Sequence, residues 1–282
     1  MTSLLIHVSD LHVGKRESPE IAGPLARLID RESPDLIVAS GDLTHRGRPD
    51  QQERAAAFLR ELGRPVLAVP GNHDIPHTFP ARFTESFSAF RSVWGTTEPT
   101  FSSERLTVVG INSVRPWHHQ SGGLPGTRAD HLESALAAGA GGALRVAVLH
   151  HQLANPPWRT RKRPLARRDE VLARFSAAGV ELVLGGHVHQ VSVTRRAEFV
   201  AEQGAGGAPV LVTAPGLGRP RPQRAGEARG LHAIDADETT LVVATYLWRD
   251  DAGTGGDGGS GGDWVRAAER RFPRERASSA AS

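Results

Sequence analysis

The feature that most constrains the fold is an alternation, up to His189, of short apolar runs with longer amphipathic segments. Short apolar runs bounded by turn residues are typical of buried strands, whereas apolar residues spaced three and four apart are typical of helices. The predicted strands are Leu4–Val8, Leu36–Ala39, Val66–Val69, Val108–Ile111, Val146–Leu149 and Leu182–Leu184. The predicted helices begin at Ser18-Pro19, with Ser18 as N-cap, at Pro49, which opens a segment reaching Leu62, and at Thr127-Arg128-Ala129-Asp130, which is close to a capping box. This alternation predicts an α/β layered fold.

After His189 the apolar runs follow one another across Gly/Pro-rich turns, without helical segments between them. These runs are Val191–Arg195, Val210–Thr213, Leu231–Ile234 and Leu241–Leu247. We predict that they form a meander that completes a second sheet. Residues 251–263 are a Gly-rich, low-complexity stretch, which predicts a flexible linker, and Trp264–Arg271 is expected to form a short helix. The expected organisation is one domain over residues 1–250, followed by a linker and tail over residues 251–282.

Side chains that can bind metal ions directly follow five of the predicted strands. They are Asp10-Leu11-His12, Gly41-Asp42, Gly71-Asn72-His73-Asp74, His150, and Gly185-Gly186-His187-Val188-His189. In a layered α/β fold the carboxyl ends of neighbouring strands meet at one crevice, where ligands bind. Segments far apart along the chain are therefore expected to meet at one site.

The residue types in these motifs favour divalent transition metals. Imidazole and carboxylate groups suit zinc, iron or manganese, and the chain has no cysteine, which excludes thiolate ligands and disulfides. Glycines beside Asp42, Asn72 and His187 allow the backbone to turn sharply and to approach the ions closely. His187 and His189 are expected to lie in an extended segment and to project to the same side.

The five motifs resemble the pattern of the calcineurin-like metallophosphoesterase superfamily, which is Asp-x-His, Gly-Asp, Gly-Asn-His-Asp/Glu, His and Gly-His-x-His. The resemblance spans roughly residues 4–190. It implies a four-layer αββα sandwich, with two mixed β-sheets flanked by helices and the active site at the carboxyl ends of the strands.

The resemblance also implies a role for each residue of the motifs. The implied ligands are Asp10, His12 and His189 for one metal ion, Asn72, His150 and His187 for the other, and Asp42 as a bridge between both. His73 is expected to lie over the substrate phosphate, with Asp74 orienting it. Of the adjacent His150 and His151, the resemblance favours His150 as the ligand. The expected cofactor is a pair of divalent ions, Mn²⁺, Fe²⁺/Fe³⁺ or Zn²⁺.

The implied activity is hydrolysis of phosphodiester bonds by a metal-activated hydroxide, with the two ions roughly 3.5–4 Å apart. Gly41–Thr44, His150-His151 and Ile111–Ser113 resemble the bacterial class III cyclic-nucleotide phosphodiesterases and glycerophosphodiesterases, so 3',5'-cyclic nucleotides are one expected substrate. The chain departs from that subgroup near His45, where an acidic residue is common, and at Asn112, where Asp often stands. The alternatives are a phosphomonoesterase or nuclease of the same superfamily, or an inactive binding scaffold.

Composition and charge bear on which partners the protein binds, and they do not identify the reaction. The formal net charge is only +3, and the chain has 34 Lys and Arg residues, of which Lys15 and Lys162 are the only lysines. Arginine suits anionic substrates, although codon usage in a GC-rich genome also explains its abundance. No apolar stretch approaches the roughly 18 residues of a membrane span, and the N-terminus is unlike a signal peptide. We therefore expect a cytoplasmic protein with a small phosphodiester or nucleotide substrate and no obligatory nucleic acid; a homodimer is one assembly open to it.

Two loops have a function that the sequence leaves open. A cationic segment lies between the fourth and fifth motifs and contains Arg159, Arg161, Lys162, Arg163, Arg167 and Arg168. It is expected either to border the site and attract nucleotide phosphates or an anionic lipid surface, or to be a solvated loop and helix start. Trp117-His118-His119 is expected either to stack on a base or to be an ordinary surface loop.

Overall fold

The computed structural model describes residues 4–274 apart from 16, 119, 159, 196–207, 222 and 251–260. The strands among these residues are β1 (Leu5–Val8), β2 (Leu36–Ala39), β3 (Val66–Ala68), β4 (Thr100–Ser102), β5 (Leu106–Gly110), β6 (Leu144–Val148), β7 (Leu182–Gly185), β8 (Ser192–Arg195), β9 (Val210–Thr213), β10 (Gly230–Ala236), β11 (Thr240–Asp250) and β12 (Gly262–Pro273). The helices are α1 (Ala22–Glu32), α2 (Pro49–Arg60), α3 (Ala81–Thr84), α4 (Ser88–Trp94), α5 (Gly126–Ala137) and α6 (Arg168–Ala177), with a short 3-10 helix at Pro19–Ile21.

The strands form two mixed sheets. The first has the order β12-β11-β10-β1-β2-β3, and the second has the order β4-β5-β6-β7-β9-β8. Strands β1, β2 and β3 run parallel, as do β5, β6, β7 and β9, and antiparallel strands extend both groups. The carboxyl ends of the parallel strands therefore form one edge in each sheet.

Side chains along each strand point alternately to the two faces of its sheet, which gives three apolar layers. One lies between the sheets, and one lies on the outer face of each sheet. In β2, Leu36 and Val38 face the second sheet, whereas Ile37 and Ala39 face the helices outside the first sheet. The outer face of the second sheet packs on α5 and α6 through residues such as Phe175, which is fully buried. Burying each such side chain stabilises the fold by about 1.5–3 kcal/mol. These layers confirm the predicted four-layer αββα sandwich.

The strands after His189 are divided between the sheets, which corrects the predicted meander. Strands β8 and β9 complete the second sheet as expected, but β10, β11 and β12 extend the first sheet from β1. Turn residues predict where strands are connected, but not which free sheet edge a strand reaches.

The C-terminal segment is a strand, so the predicted helix at Trp264–Arg271 is wrong. Strand β12 pairs antiparallel with β11 from Asp250↔Gly262 to Thr240↔Pro273. Pairing along the open edge of β11 outweighs the local helix preference of its Ala, Arg and Glu residues. Residues 251–260 of the predicted linker lie outside the described residues. A boundary at residue 250 stays a prediction, and β12 belongs to the same sheet as β1.

The predicted start of the first helix is confirmed in position, because Ser18 is the N-cap residue and Pro19 the first residue of the 3-10 turn that leads into α1. The Ser18 hydroxyl makes no capping hydrogen bond and accepts one from Arg229 (2.7 Å). Helix α5 begins after Pro125, without a side-chain cap, so the predicted capping box at Thr127 is not formed. None of the helices in the described part of the chain has the length and apolar character needed to cross a bilayer.

Two fully buried histidines lie between the sheets. The rings of His7 on β1 and His232 on β10 stack at 5.9 Å. His232 is paired by its Nδ1 with the hydroxyl of Thr245 (3.1 Å) and by its Nε2 with the carbonyl oxygen of Thr213 (3.3 Å), which lies in the second sheet. His232 thus links the two sheets.

This buried pair predicts that the metal-free protein loses stability in mild acid. Burial lowers the pKa of His232 from 6.5 to about 4. Between these values the unfolded chain binds a proton at His232 that the folded chain does not, so the free energy of unfolding falls as the pH falls. Urea unfolding at about pH 7.5 and about pH 5 measures this decrease. We expect the free energy of unfolding to decrease by about 2 kcal/mol less in His232→Gln than in the wild type.

The exposed His131 offers the matched control, because His131→Gln is expected to keep the wild-type dependence on pH. Equal pH dependence in His232→Gln and the wild type would contradict this prediction.

Candidate metal centre

The predicted ligands meet at the carboxyl ends of parallel strands from both sheets. Asp10, Asp42 and Asn72 follow β1, β2 and β3, and all three are buried. The histidines come from the His12 loop and from the ends of β6 and β7 in the facing sheet. The seven residues are Asp10, His12, Asp42, Asn72, His150, His187 and His189, each no more than 6% exposed.

A first cluster joins Asp10, His12 and His189. His189 Nε2 lies 3.0 Å from Asp10 Oδ1 and 3.2 Å from His12 Nε2. His12 Nε2 lies 3.7 Å from Asp10 Oδ1. Three side chains that are up to 179 positions apart in sequence thus direct one ligand atom each to a common point.

A second cluster joins Asp42, His150 and His187. His150 Nε2 lies 3.3 Å from Asp42 Oδ2 and 3.2 Å from His187 Nδ1. The Nδ1 of His150 donates to the carbonyl oxygen of Ser40 (2.9 Å), so Nε2 is the ring atom that faces the cluster. His150 is therefore the member of the His150-His151 pair that faces Asp42, whereas His151 Nδ1 pairs with the hydroxyl of Ser113 (2.8 Å).

The same oxygen of Asp42 lies near a histidine nitrogen of each cluster. Asp42 Oδ2 lies 3.3 Å from His150 Nε2 in the second cluster and 3.9 Å from His12 Nε2 in the first. The other oxygen, Oδ1, accepts a hydrogen bond from the backbone N–H of His73 (2.8 Å). The two carboxylate oxygens of Asp10 also have different partners. Its Oδ2 accepts a hydrogen bond from the N–H of His187 (3.0 Å), while its Oδ1 faces His189. Each carboxylate has one oxygen held by the backbone and one directed into the crevice.

The clusters fit divalent metal ions. Two ligands at about 2.0–2.1 Å from one tetrahedral ion are separated by about 3.3 Å, close to the 3.0–3.9 Å spacings found here. Among the described residues, Asp10 Oδ1, Asp42 Oδ2 and both amide atoms of Asn72 are buried without a hydrogen-bond partner. Buried polar atoms are costly unless paired, and a cation would pair these oxygens.

The backbone at these positions is strained. Five of the site residues have positive φ values, in the left-handed region that residues other than glycine seldom adopt. The values are 54° for Asp10, 51° for His12, 52° for Asp42, 73° for His187 and 59° for His189. The His187–His189 segment is thus a bend rather than the extended segment predicted above. Strain of this kind collects at functional sites and costs on the order of 1–3 kcal/mol per residue.

Gly71 allows the second and third motifs to touch. A Cβ placed on Gly71 would lie 2.2 Å from the backbone nitrogen of Asp42 and 2.3 Å from its Oδ1. Side-chain atoms at residue 71 would therefore push the Asp42 and Asn72 loops apart.

We expect Gly71→Ala to disrupt this contact and to destabilise the protein by about 1–3 kcal/mol, because the clash is with backbone atoms. Urea unfolding and Mn²⁺ affinity would measure both effects. Gly126→Ala is the matched control, because no atom lies within 4 Å of the added Cβ at that exposed helix start. Equal stability and metal affinity in the two variants would contradict the prediction.

Asp74 is buried and holds the loops of the second and third motifs together. Its carboxylate accepts hydrogen bonds from the backbone N–H groups of Leu43 (3.1 Å), Thr44 (2.8 Å) and Gly71 (2.8 Å). The ring of His73 instead donates its Nδ1–H to the carbonyl oxygen of His45 (2.9 Å). Asp74 therefore joins the loops that carry Asp42 and Asn72, and its part in orienting His73 stays a prediction.

Charge in the centre is balanced between carboxylates and imidazoles. Burial alone would raise the pKa of Asp42, but His150 and His73 lower it well below its ordinary range. Burial likewise opposes protonation of His150, yet Asp42 raises its pKa to about 9. Burial lowers the pKa of His12 and of His187, which favours the neutral imidazole that binds metal ions.

The structure adds residues that the motifs do not include. His45 and His77 lie beside His73, with ring centroids 5.5 Å and 5.1 Å from it, and His12, His45 and His73 form a third group with converging nitrogen atoms. The only signal for His45 in the sequence is its position three residues after Asp42. Trp117 is 77% exposed and stacks on Phe83 at 4.1 Å, while His119 lies outside the described residues, so base stacking there stays a prediction.

Comparison with known proteins agrees with this arrangement. Residues 4–191 match the calcineurin-like phosphoesterase family. A probable cyclic nucleotide phosphodiesterase from Synechococcus is 32% identical over 215 residues, covering 70% of this chain and 77% of that protein. The 3',5'-cyclic adenosine monophosphate phosphodiesterase CpdA of Haemophilus influenzae is 26% identical, covering 66% of this chain and 69% of that protein. A dimetal phosphatase from Danio rerio shares the fold, with a TM-score of 0.61 and 14% identity over 97% of this chain and all of that one.

This chain therefore belongs to the calcineurin-like phosphoesterase family. The family and the two His/Asp clusters confirm that it is a phosphoric ester hydrolase that depends on divalent metal ions.

Proposed function

We propose that this chain is a two-metal phosphodiesterase that hydrolyses small phosphodiesters, including 3',5'-cyclic nucleotides. The observation that carries the proposal is the position of Asp42 Oδ2, which lies within 4 Å of a nitrogen ligand from each cluster. Two ions that share one carboxylate oxygen lie close enough to hold a single phosphate between them.

The proposed ligand set follows the two clusters. Asp10, His12 and His189 would hold one ion, Asn72, His150 and His187 would hold the other, and Asp42 would contribute to both. Imidazole, carboxylate and amide ligands favour Mn²⁺, Fe²⁺/Fe³⁺ or Zn²⁺. When bound, such ions supply Lewis acidity and lower the pKa of water.

The residues of the chain position the substrate and handle protons. His73 is half-buried and adjoins His12, with ring centroids 4.9 Å apart. Because its Nδ1–H is donated to His45, Nε2 is the nitrogen through which His73 would protonate the departing oxygen. Asp74 does not contact the substrate in this proposal but keeps the loop that carries Asp42 in place.

The narrower substrate assignment is supported by sequence. The relatives from Synechococcus and Haemophilus influenzae are named for cyclic nucleotides, and each is aligned over about two thirds or more of this chain. A cytoplasmic location, a homodimer and independence from nucleic acid stay predictions.

A substrate panel tests the proposal. The purified protein is stripped of metal, reloaded with Mn²⁺, and assayed on bis(p-nitrophenyl) phosphate, p-nitrophenyl phosphate, cyclic AMP, glycerophosphodiesters and single-stranded DNA or RNA. We expect hydrolysis of the diester to exceed that of the monoester, with turnover of cyclic AMP. Preference for the monoester, or activity confined to nucleic acids, would favour the other branches of the family, and inactivity on every substrate would favour a binding scaffold.

A further inference from the structure

The segment that carries Lys162 is held against the strand ends on both sides. Before it, the backbone N–H of Trp158 donates to Gln190 Oε1 (3.0 Å). After it, the backbone N–H of Leu165 donates to the carbonyl oxygen of Gln152 (2.9 Å), and the Leu165 side chain is buried. Lys162 is therefore fixed between the fourth and fifth ligand motifs.

Lys162 contacts a residue of the candidate metal centre, whereas the cationic residues on either side of it are exposed. Its side chain is half-buried, and its Nζ donates a hydrogen bond to the carbonyl oxygen of His187. Arg161 and Arg163 on either side are exposed. One cation of this Arg-rich segment thus reaches the bend between the two histidines of the last motif.

The charge of Lys162 acts on groups throughout the centre. Burial lowers the pKa of Lys162, while Asp10 and Asp42 act on it in the opposite direction. Burial is the main cause of the lowered pKa of His151 and His187, and the ammonium of Lys162 lowers both further. Asp10 and Asp42 therefore favour the charged form of Lys162, against the effect of its burial.

On the basis of the proposed function, we propose that Lys162 is a phosphate-binding residue of this site. An ammonium group has three N–H donors. One of these donors is held by the His187 carbonyl oxygen, and the proposal assigns another to an oxygen of the bound phosphoryl group. A fixed positive charge at that point stabilises the negative charge on the phosphoryl oxygens. The effect grows with the charge of the ligand, so it is greatest for inorganic phosphate and phosphomonoesters.

Replacing Lys162 with methionine removes the charge while keeping a similar side-chain length. In the Mn²⁺-loaded protein, Lys162→Met is expected to weaken binding of inorganic phosphate by about 10- to 100-fold, measured by calorimetry, as expected for loss of a hydrogen bond to a charged group. The Mn²⁺ content should equal that of the wild type. Arg163→Met removes an exposed charge from the same segment and is expected to change phosphate affinity by less than about 2-fold. Lys162→Arg should recover most of the affinity.

Three results would overturn the role of Lys162. The first is unchanged phosphate affinity in Lys162→Met, and the second is an equal loss of phosphate affinity in Lys162→Met and Lys162→Arg. The third is loss of Mn²⁺ as the main effect of Lys162→Met, which would limit Lys162 to supporting the His187 bend. If Lys162→Met does not fold, the comparison of Lys162→Arg with Arg163→Met decides, and a large loss in Lys162→Arg contradicts the role. A wild-type protein that binds Mn²⁺ but hydrolyses no phosphate ester would instead contradict the proposed function itself.

Discussion

Asp42→Asn is expected to abolish metal-dependent hydrolysis of phosphodiesters while leaving the fold intact. Asparagine retains an Oδ1 that can accept the hydrogen bond from the His73 N–H, but it lacks the negative charge that lies within 4 Å of a histidine nitrogen from each cluster. Losing even an outer partner of a metal ligand costs about 10- to 100-fold in affinity, so loss of a shared ligand should exceed about 100-fold. Calorimetric Mn²⁺ titration and hydrolysis of bis(p-nitrophenyl) phosphate measure the two effects.

The matched control is Asp50→Asn, which neutralises an exposed carboxylate at the start of α2. It is expected to keep wild-type metal affinity and activity. If Asp42→Asn kept both as well, Asp42 would not be the shared ligand.

His73→Gln is expected to reduce kcat by about 10²- to 10⁴-fold, the range associated with loss of a general acid. The loss should depend on the leaving group, because nitrophenolate departs without a proton whereas the ribose oxygen of cyclic AMP needs one. We therefore expect a larger decrease for cyclic AMP than for bis(p-nitrophenyl) phosphate, at unchanged Mn²⁺ content. Steady-state kinetics on both substrates provide the measurement.

Equal decreases on the two substrates would indicate that His73 positions the phosphate rather than transferring a proton. The exposed His131→Gln variant controls for loss of an imidazole elsewhere and should leave both rates unchanged.

The site could be predicted largely because its signals are local. Each ligand motif directly follows a short apolar strand, so placing the strands also places Asp10 and Asp42 at the carboxyl edge of the first sheet and His150 at the carboxyl edge of the second. The order of the C-terminal strands could not be predicted in this way. Strand β12 forms because β11 offers an open edge, which is a property of the assembled sheet and not of the segment Gly262–Pro273.

The details of the centre depend on contacts between distant segments. The left-handed backbone at His187 and His189 lies beside the loop that follows β1. In that loop, Asp10 accepts a hydrogen bond from the His187 N–H. The partners of Asp74 are backbone groups of another loop, which residue type and spacing do not reveal. The contact of Lys162 with His187 likewise depends on two hydrogen bonds from its own segment to residues near β6 and β7.

A titration of the metal-free protein with Mn²⁺ tests the central claim most directly. Protein at a concentration well above the Kd is supplied with increasing equivalents of Mn²⁺, and hydrolysis of bis(p-nitrophenyl) phosphate is measured at each step. The two-cluster centre predicts that activity rises up to two equivalents per chain and then stays constant. Full activity at one equivalent, or activity that persists in the presence of a chelator, would contradict a two-metal mechanism.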